Sequence, residues 1–138
     1  MDKKTRLSTL WIFLTLNFIF CDVFSLHYQK DLQNLLNGKV GDTPITQPFL
    51  LLFSIIMEIP MLMILLSRLL KYRANRTLNL IVAMLLLILQ LSTLFWGENT
   101  LHYKFFSLIE ILTCMAIIGL SCQWRDEVAK PLEFTPII

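Results

Sequence analysis

The stretch Ile56-Met57-Glu58-Ile59-Pro60-Met61 puts a carboxylate and a proline in the middle of an apolar run from Phe49 to Leu66 that holds no Lys or Arg. An ionisable group at membrane depth costs at least ~2.5 kcal/mol when charged, so it reads first as a functional group. Pro60 has no N–H to offer the carbonyl of Ile56, which leaves an unsatisfied acceptor one turn from the acid. Two further acids, Asp22 and Glu110, fall inside apolar runs, together with Asn17 and Gln90. Gln47 opens the run that contains Glu58. Carboxyls in such a setting either carry a proton or bind a cation supplied from outside, since no basic residue within the runs can neutralise them. That is the chemistry of proton, small-cation or amine binding. Interhelical hydrogen bonding by protonated acids is the purely structural alternative.

Four apolar blocks must position these groups, at about residues 7–28, 48–70, 77–96 and 103–124. Each approaches or exceeds the ~20 residues that cross a hydrocarbon core. With 138 residues, 56% of them hydrophobic, the chain reads as one domain over residues 1–138. The expected fold class is all-α: an integral membrane bundle of four antiparallel transmembrane helices, followed by a cytoplasmic tail at 125–138. Lys3, Lys4, Arg6, Arg68, Lys71, Arg73, Arg76, Arg125 and Lys130 would lie on one side of it; only Lys30, Lys39 and Lys104 would lie on the other. The positive-inside rule then places both termini and the middle loop in the cytoplasm. These cations hug helix ends without interleaved aromatics, so no nucleic-acid surface is expected. Membrane lipids are the expected surroundings.

The first block follows a basic start like that of a signal peptide, but Phe20-Cys21-Asp22-Val23 is no small-residue cleavage site, and an uncleaved helix is expected. Cys21, Cys114 and Cys122 form no C-x-x-C pair, which argues against thiol-redox chemistry. His27 and His102 show no metal-ligand spacing, so no metal and no cofactor are expected. In the outer loop, Asp31 to Asn37 suggests a short amphipathic turn stopped by Gly38, and Gly41-Asp42-Thr43-Pro44 a tight turn. Thr46 suits an N-cap and Pro48 the first turn of the second long helix. Arg73-Ala74-Asn75-Arg76 is expected to link the second and third helices, and Trp96 to anchor the outer end of the third. No G-x-x-x-G occurs within a span, so glycine-driven dimer packing has no support, while an oligomer built on another surface stays open.

Residues seven or eleven apart on a helix differ by only ~20° in direction. That spacing aligns Thr15, Asp22 and Ser25 on the first helix and Gln47, Ser54 and Glu58 on the second. It aligns Asn79, Ala83, Gln90 and Thr93 on the third, and Tyr103, Ser107, Glu110, Cys114 and Ser121 on the fourth. All four stripes are expected to face inward, because lipid would leave them unsatisfied. At ~1.5 Å of rise per residue, Asp22, Gln90 and Glu110 share a layer roughly 10 Å below the outer surface. Glu58 and Asn17 lie deeper, which suggests an outward-facing pocket floored by Glu58.

The segments Ile45-Thr46-Gln47-Pro48-Phe49-Leu50-Leu51, Met57-Glu58-Ile59-Pro60 with Met63 and Leu66-Ser67, and Asn75-Arg76 with Asn79 resemble a family of small bacterial four-helix membrane proteins. That family is known only as a domain of unknown function. The resemblance covers nearly the whole chain and implies a bacterial inner (plasma) membrane bundle with no assigned activity. A looser likeness is to DoxX-like and sterol-isomerase-like bundles, whose buried acids meet a cationic or amine-bearing ligand. Three functions stay open: binding or transport of a proton, small cation or amphipathic amine; a membrane enzyme acting on a lipid or isoprenoid with Glu58 or Glu110 as general acid; and an accessory subunit docked through the polar seam.

Overall fold

The computed structural model describes residues 2–95 and 99–124. Trp96, the turn residues Gly97 and Glu98, and the tail at 125–138 lie outside them, and with them the expected anchor and tail. Four long helices and one short one follow in order: α1 (Lys3–Leu26), α2 (Gln29–Leu36), α3 (Gln47–Leu69), α4 (Tyr72–Phe95) and α5 (Leu101–Cys122). α1, α3, α4 and α5 are each long and apolar enough to cross a membrane. Among the described residues the one departure from helix and turn is a small hairpin between α2 and α3, β1 (Lys39–Val40) paired antiparallel with β2 (Thr43–Pro44).

Local chemistry accounts for that loop. Gly38 follows the last turn of α2 at φ 69°, and its N–H donates to the carbonyl of Leu35. A left-handed residue there ends the helix, and glycine adopts it without a Cβ penalty. Gly41 at φ 58° opens the two-residue connection between Val40 and Thr43, as a primed hairpin turn requires. The N–H of Ile45 then donates to the carbonyl of Gly38 at 2.8 Å and closes the loop. At the start of α3 the Thr46 hydroxyl accepts from the N–H of Phe49. Pro48 sits in the first turn, where its missing N–H costs nothing.

The expected link between the second and third helices is not a loop. α4 begins at Tyr72, so Arg73-Ala74-Asn75-Arg76 forms its first turns and only Leu70 and Lys71 join it to α3. Asn75 is the reason. Its side-chain amide donates to the carbonyls of Ser67 (2.6 Å) and Leu70 (3.4 Å), which the end of α3 leaves without helical partners. Asn75 therefore caps the helix before it from within the helix that follows.

α1 lies between α3 and α5, and α5 also packs along α4. All three packed pairs run antiparallel. α3 and α4 are consecutive in sequence yet touch little, and the bonds found between them gather beside their link. The apolar core is Leu7, Trp11, Leu14, Met63, Ala83, Leu86, Cys114, Ile117 and Trp124. At the end where α1 begins and α5 stops, Arg76 donates to the carbonyls of Ser121 (3.0 Å) and Cys122 (3.5 Å). The Tyr72 hydroxyl donates to the carbonyl of Trp124 at 2.7 Å, with the two rings edge to face. A cation there meets the negative end of the α5 dipole. Lys4 donates to the carbonyl of Arg68 at the same end. The cation-rich turns of α1, α3 and α4 are thus collected on one side.

Candidate functional site

Two polar clusters occupy the interior. The first, towards the cation-rich end, is built around Asn79. Its side-chain oxygen accepts from Trp11 Nε1 at 2.6 Å and from Ser67 Oγ at 3.0 Å, while its amide donates to the backbone and side-chain oxygens of Asn75. Ser8 donates to the carbonyl of Ile64 and accepts from Arg68 Nε, both at 3.0 Å. Ser8, Trp11, Ser67, Asn75 and Asn79 are all buried. Every buried side-chain nitrogen and oxygen of this cluster has a hydrogen-bond partner, so it ties α1, α3 and α4 together. Of these residues only Asn79 stands in an expected stripe. The signal for Asn75 was its place on the same α4 face as Asn79, Ala83, Leu86 and Gln90.

The second cluster lies nearer the other end, on α1, α4 and α5. Glu110 is 2% exposed, and its Oε1 finds no hydrogen-bond partner among the described residues. One turn before it, Ser107 accepts from Gln90 Nε2 at 2.8 Å. Tyr103 reaches Thr93 and Ser107. Buried Cys21 and Cys114 lie close enough to Glu110 to sense its charge, and the exposed Asp22 lies within the same reach. Asn17 is buried on α1, where its amide donates to the carbonyl of Phe13 at 3.1 Å. The α5 stripe is as its periodicity predicts: Ser107, Glu110, Cys114 and Ser121 are buried and Tyr103 is half-buried. On α4, Asn79, Ala83 and Gln90 are buried in the same way.

The other expected members part company. Asp22 is exposed beside buried Cys21, at the rim of the second cluster. Glu58, Ser54 and Gln47 share one face of α3, as their spacing predicts, but that face is exposed. α3 buries Pro60, Met63 and Ser67 instead, against α1 and Asn79. Glu58 and Gln47 lie on the side of α3 turned away from this face, so Glu58 floors no interior pocket. The reason is rotational: residues at 60, 63 and 67 lie on the opposite side of a helix from 47, 54 and 58.

His102 sits between the hydroxyls of Ser25 and Thr100, each 3.3 Å from Nε2, and His27 Nδ1 approaches the carbonyl of Val23 at 2.9 Å. No group of three or more metal-ligating side chains is gathered among the described residues. The arrangement offers one buried carboxyl with an uncommitted oxygen, flanked by an amide–hydroxyl pair and by a more exposed carboxylate.

A family model described as "Family of unknown function (DUF6326)" matches residues 1–130. No curated protein and no solved structure matches the chain.

Proposed function

The chain belongs to this family of unknown function, DUF6326, and from that premise we propose that it is a small multi-pass membrane protein that binds or passes a proton, a small cation or an amphipathic amine at Glu110. One observation carries the reading: a carboxyl 2% exposed, with an oxygen that nothing among the described residues satisfies. The cations of the long helices all sit in their terminal turns, so none is built into the interior beside it. An unpaired carboxylate is costly at such a place, so its charge must be met by something exchangeable. Asp22, exposed and within electrostatic reach, supplies a step between the surface and Glu110. Gln90, held by Ser107 one turn from Glu110, supplies a neutral dipole near it.

The cation-rich end faces the cytoplasm of a bacterial inner membrane in this proposal, with both termini on that side and the Glu110 layer nearer the outer surface. The discriminating variant is Glu110→Gln, which keeps the shape and hydrogen-bonding capacity while removing the titratable group. In proteoliposomes, binding of a lipophilic cation and proton flux should both be measured, with thermal stability alongside. The expected result is loss of binding or flux with little change in stability. Full retention of both would return Glu110 to a purely structural role.

A further inference from the structure

At the cation-rich end, α1 and α3 bring two cations to one junction. Arg68, in the last turn of α3, donates from Nε to Ser8 Oγ on α1 at 3.0 Å. Ser8 is 0% exposed and its own hydrogen is committed to the carbonyl of Ile64, so the guanidinium is fixed on a buried acceptor. Lys4, one turn before Ser8 on α1, reaches the carbonyl of Arg68 at 3.4 Å. Two like charges are thereby held at one junction, which costs energy unless an anion lies beside them. Asp2 is the only acid at this end among the described residues, and it is exposed and pairs with neither cation. The first turn of α1 adds to the demand. It carries Lys3, Lys4 and Arg6 and no acid, at the end where the helix dipole is itself positive.

We propose that this junction binds the phosphate of an anionic phospholipid, in the leaflet at this end of the bundle. The proposal rests on the four long helices crossing a bilayer, the membrane part of the reading above. Arginine carries five N–H donors, and Nε is the one that Arg68 commits to Ser8. Its two terminal amino groups form an end-on fork that matches two phosphate oxygens, and Lys4 adds a second positive charge from the other helix. Depth agrees with a headgroup: Arg68 stands one residue before the end of α3 and Lys4 one residue after the start of α1. What lies below Arg68 favours a lipid over free phosphate. Met61 and Leu65, seven and three residues earlier on the same side of α3, are exposed, and so is Leu69. They offer an apolar track to the acyl chains of a lipid whose phosphate Arg68 holds, and inorganic phosphate gains nothing from it.

The test titrates the full chain in detergent micelles with phosphatidylglycerol, with phosphatidylcholine of the same acyl chains, and with inorganic phosphate. Bound lipid is counted by native mass spectrometry, with thermal stability measured alongside. Phosphatidylglycerol should bind several-fold more tightly than phosphatidylcholine and resist competition by inorganic phosphate. Arg68→Lys keeps the charge and loses the fork, so it should weaken that preference several-fold, and Lys4→Gln should do the same. Lys4 makes a single long bond, so its variant reports even where Arg68→Lys disturbs folding. Arg73→Gln removes an exposed cation from the first turn of α4 and should leave the preference unchanged. Equal binding of the two lipids, displacement of phosphatidylglycerol by inorganic phosphate, or full preference in both Lys4→Gln and Arg68→Lys would each overturn the proposal. So would a loss in Arg73→Gln as large as in Arg68→Lys, the mark of diffuse attraction. A preference that emerges only in the double variant Asp126→Asn, Glu127→Gln would also overturn it, by giving the junction to the chain's own acids. Carbonate extraction of membranes separates these failures from a failure of the membrane reading: a chain released by carbonate was never embedded, whereas one that stays and shows no lipid preference refutes the phosphate site alone.

Discussion

Asn79 accepts on one oxygen from two buried donors, Trp11 Nε1 and Ser67 Oγ, which belong to two different helices. Asn79→Ala would strand both donors and one acceptor of Asn75, so it should destabilise the protein by about 3 kcal/mol, several-fold more than a surface substitution. Thermal unfolding in detergent measures this, and a loss below about 0.5 kcal/mol would mean that water or lipid replaces the bonds at no cost. Glu110 presents the opposite case. Its free oxygen contributes no bond to the fold, so Glu110→Gln is expected to be nearly silent in the same unfolding experiment while activity is lost. Taken together, the two variants separate the cluster that holds the bundle from the cluster proposed to work.

At the scale of elements, α3 shows how short signals set boundaries. Thr46→Ala removes the cap on the Phe49 N–H and should cost about 1 kcal/mol, seen as faster amide exchange in the first turn of α3 only. Asn75→Ala should act on the other end of the same helix, across the link, by exposing the carbonyls of Ser67 and Leu70. Hydrogen exchange confined to α4 in that variant would show that Asn75 is not the cap of α3. α3 nevertheless continues as a helix through Pro60. Proline is tolerated in a spanning helix because neighbours can satisfy the freed groups. The Ser8 hydroxyl, bonded to the carbonyl of Ile64 four residues beyond Pro60, ties this part of α3 to α1.

For the molecule as a whole, the gathering of Lys4, Arg68, Arg76 and Tyr72 at one end matches a cytoplasmic side in the proposed orientation. A cysteine introduced at Asn34, in α2 of the outer loop, should label with an impermeant reagent from outside intact cells, and one at Arg73 only after permeabilisation. The reverse pattern would invert the topology and turn the Glu110 layer towards the cytoplasm. α3 touches α4 chiefly beside their link, and the extended packings of the bundle are α1 on α3, α1 on α5 and α4 on α5.

Much of this was legible in the residues alone. Four apolar blocks of sufficient length, the Thr46 cap, Gly38 and Gly41 in the loop between α2 and α3, and the sided cations needed only local rules, since each depends on neighbours within a turn or on a count along the chain. The likeness to an uncharacterised family agrees with the family model that matches residues 1–130. Periodicity also placed Ser107, Glu110, Cys114 and Ser121 on one face, and Gln47, Ser54 and Glu58 on another. What it could not say was which way each face turns. In water the hydrophobic effect would settle this, because a polar stripe faces out and an apolar one in. In an apolar helix in lipid, the setting proposed for these four, that rule has no force, and rotation is decided by packing and interhelical bonds. For α3 the decision fell to Pro60, Met63 and Ser67 against α1 and Asn79, which sent Glu58 outward. The start of α4 at Tyr72 likewise depended on Asn75 finding carbonyls on another helix. Only the tertiary structure brings those groups together.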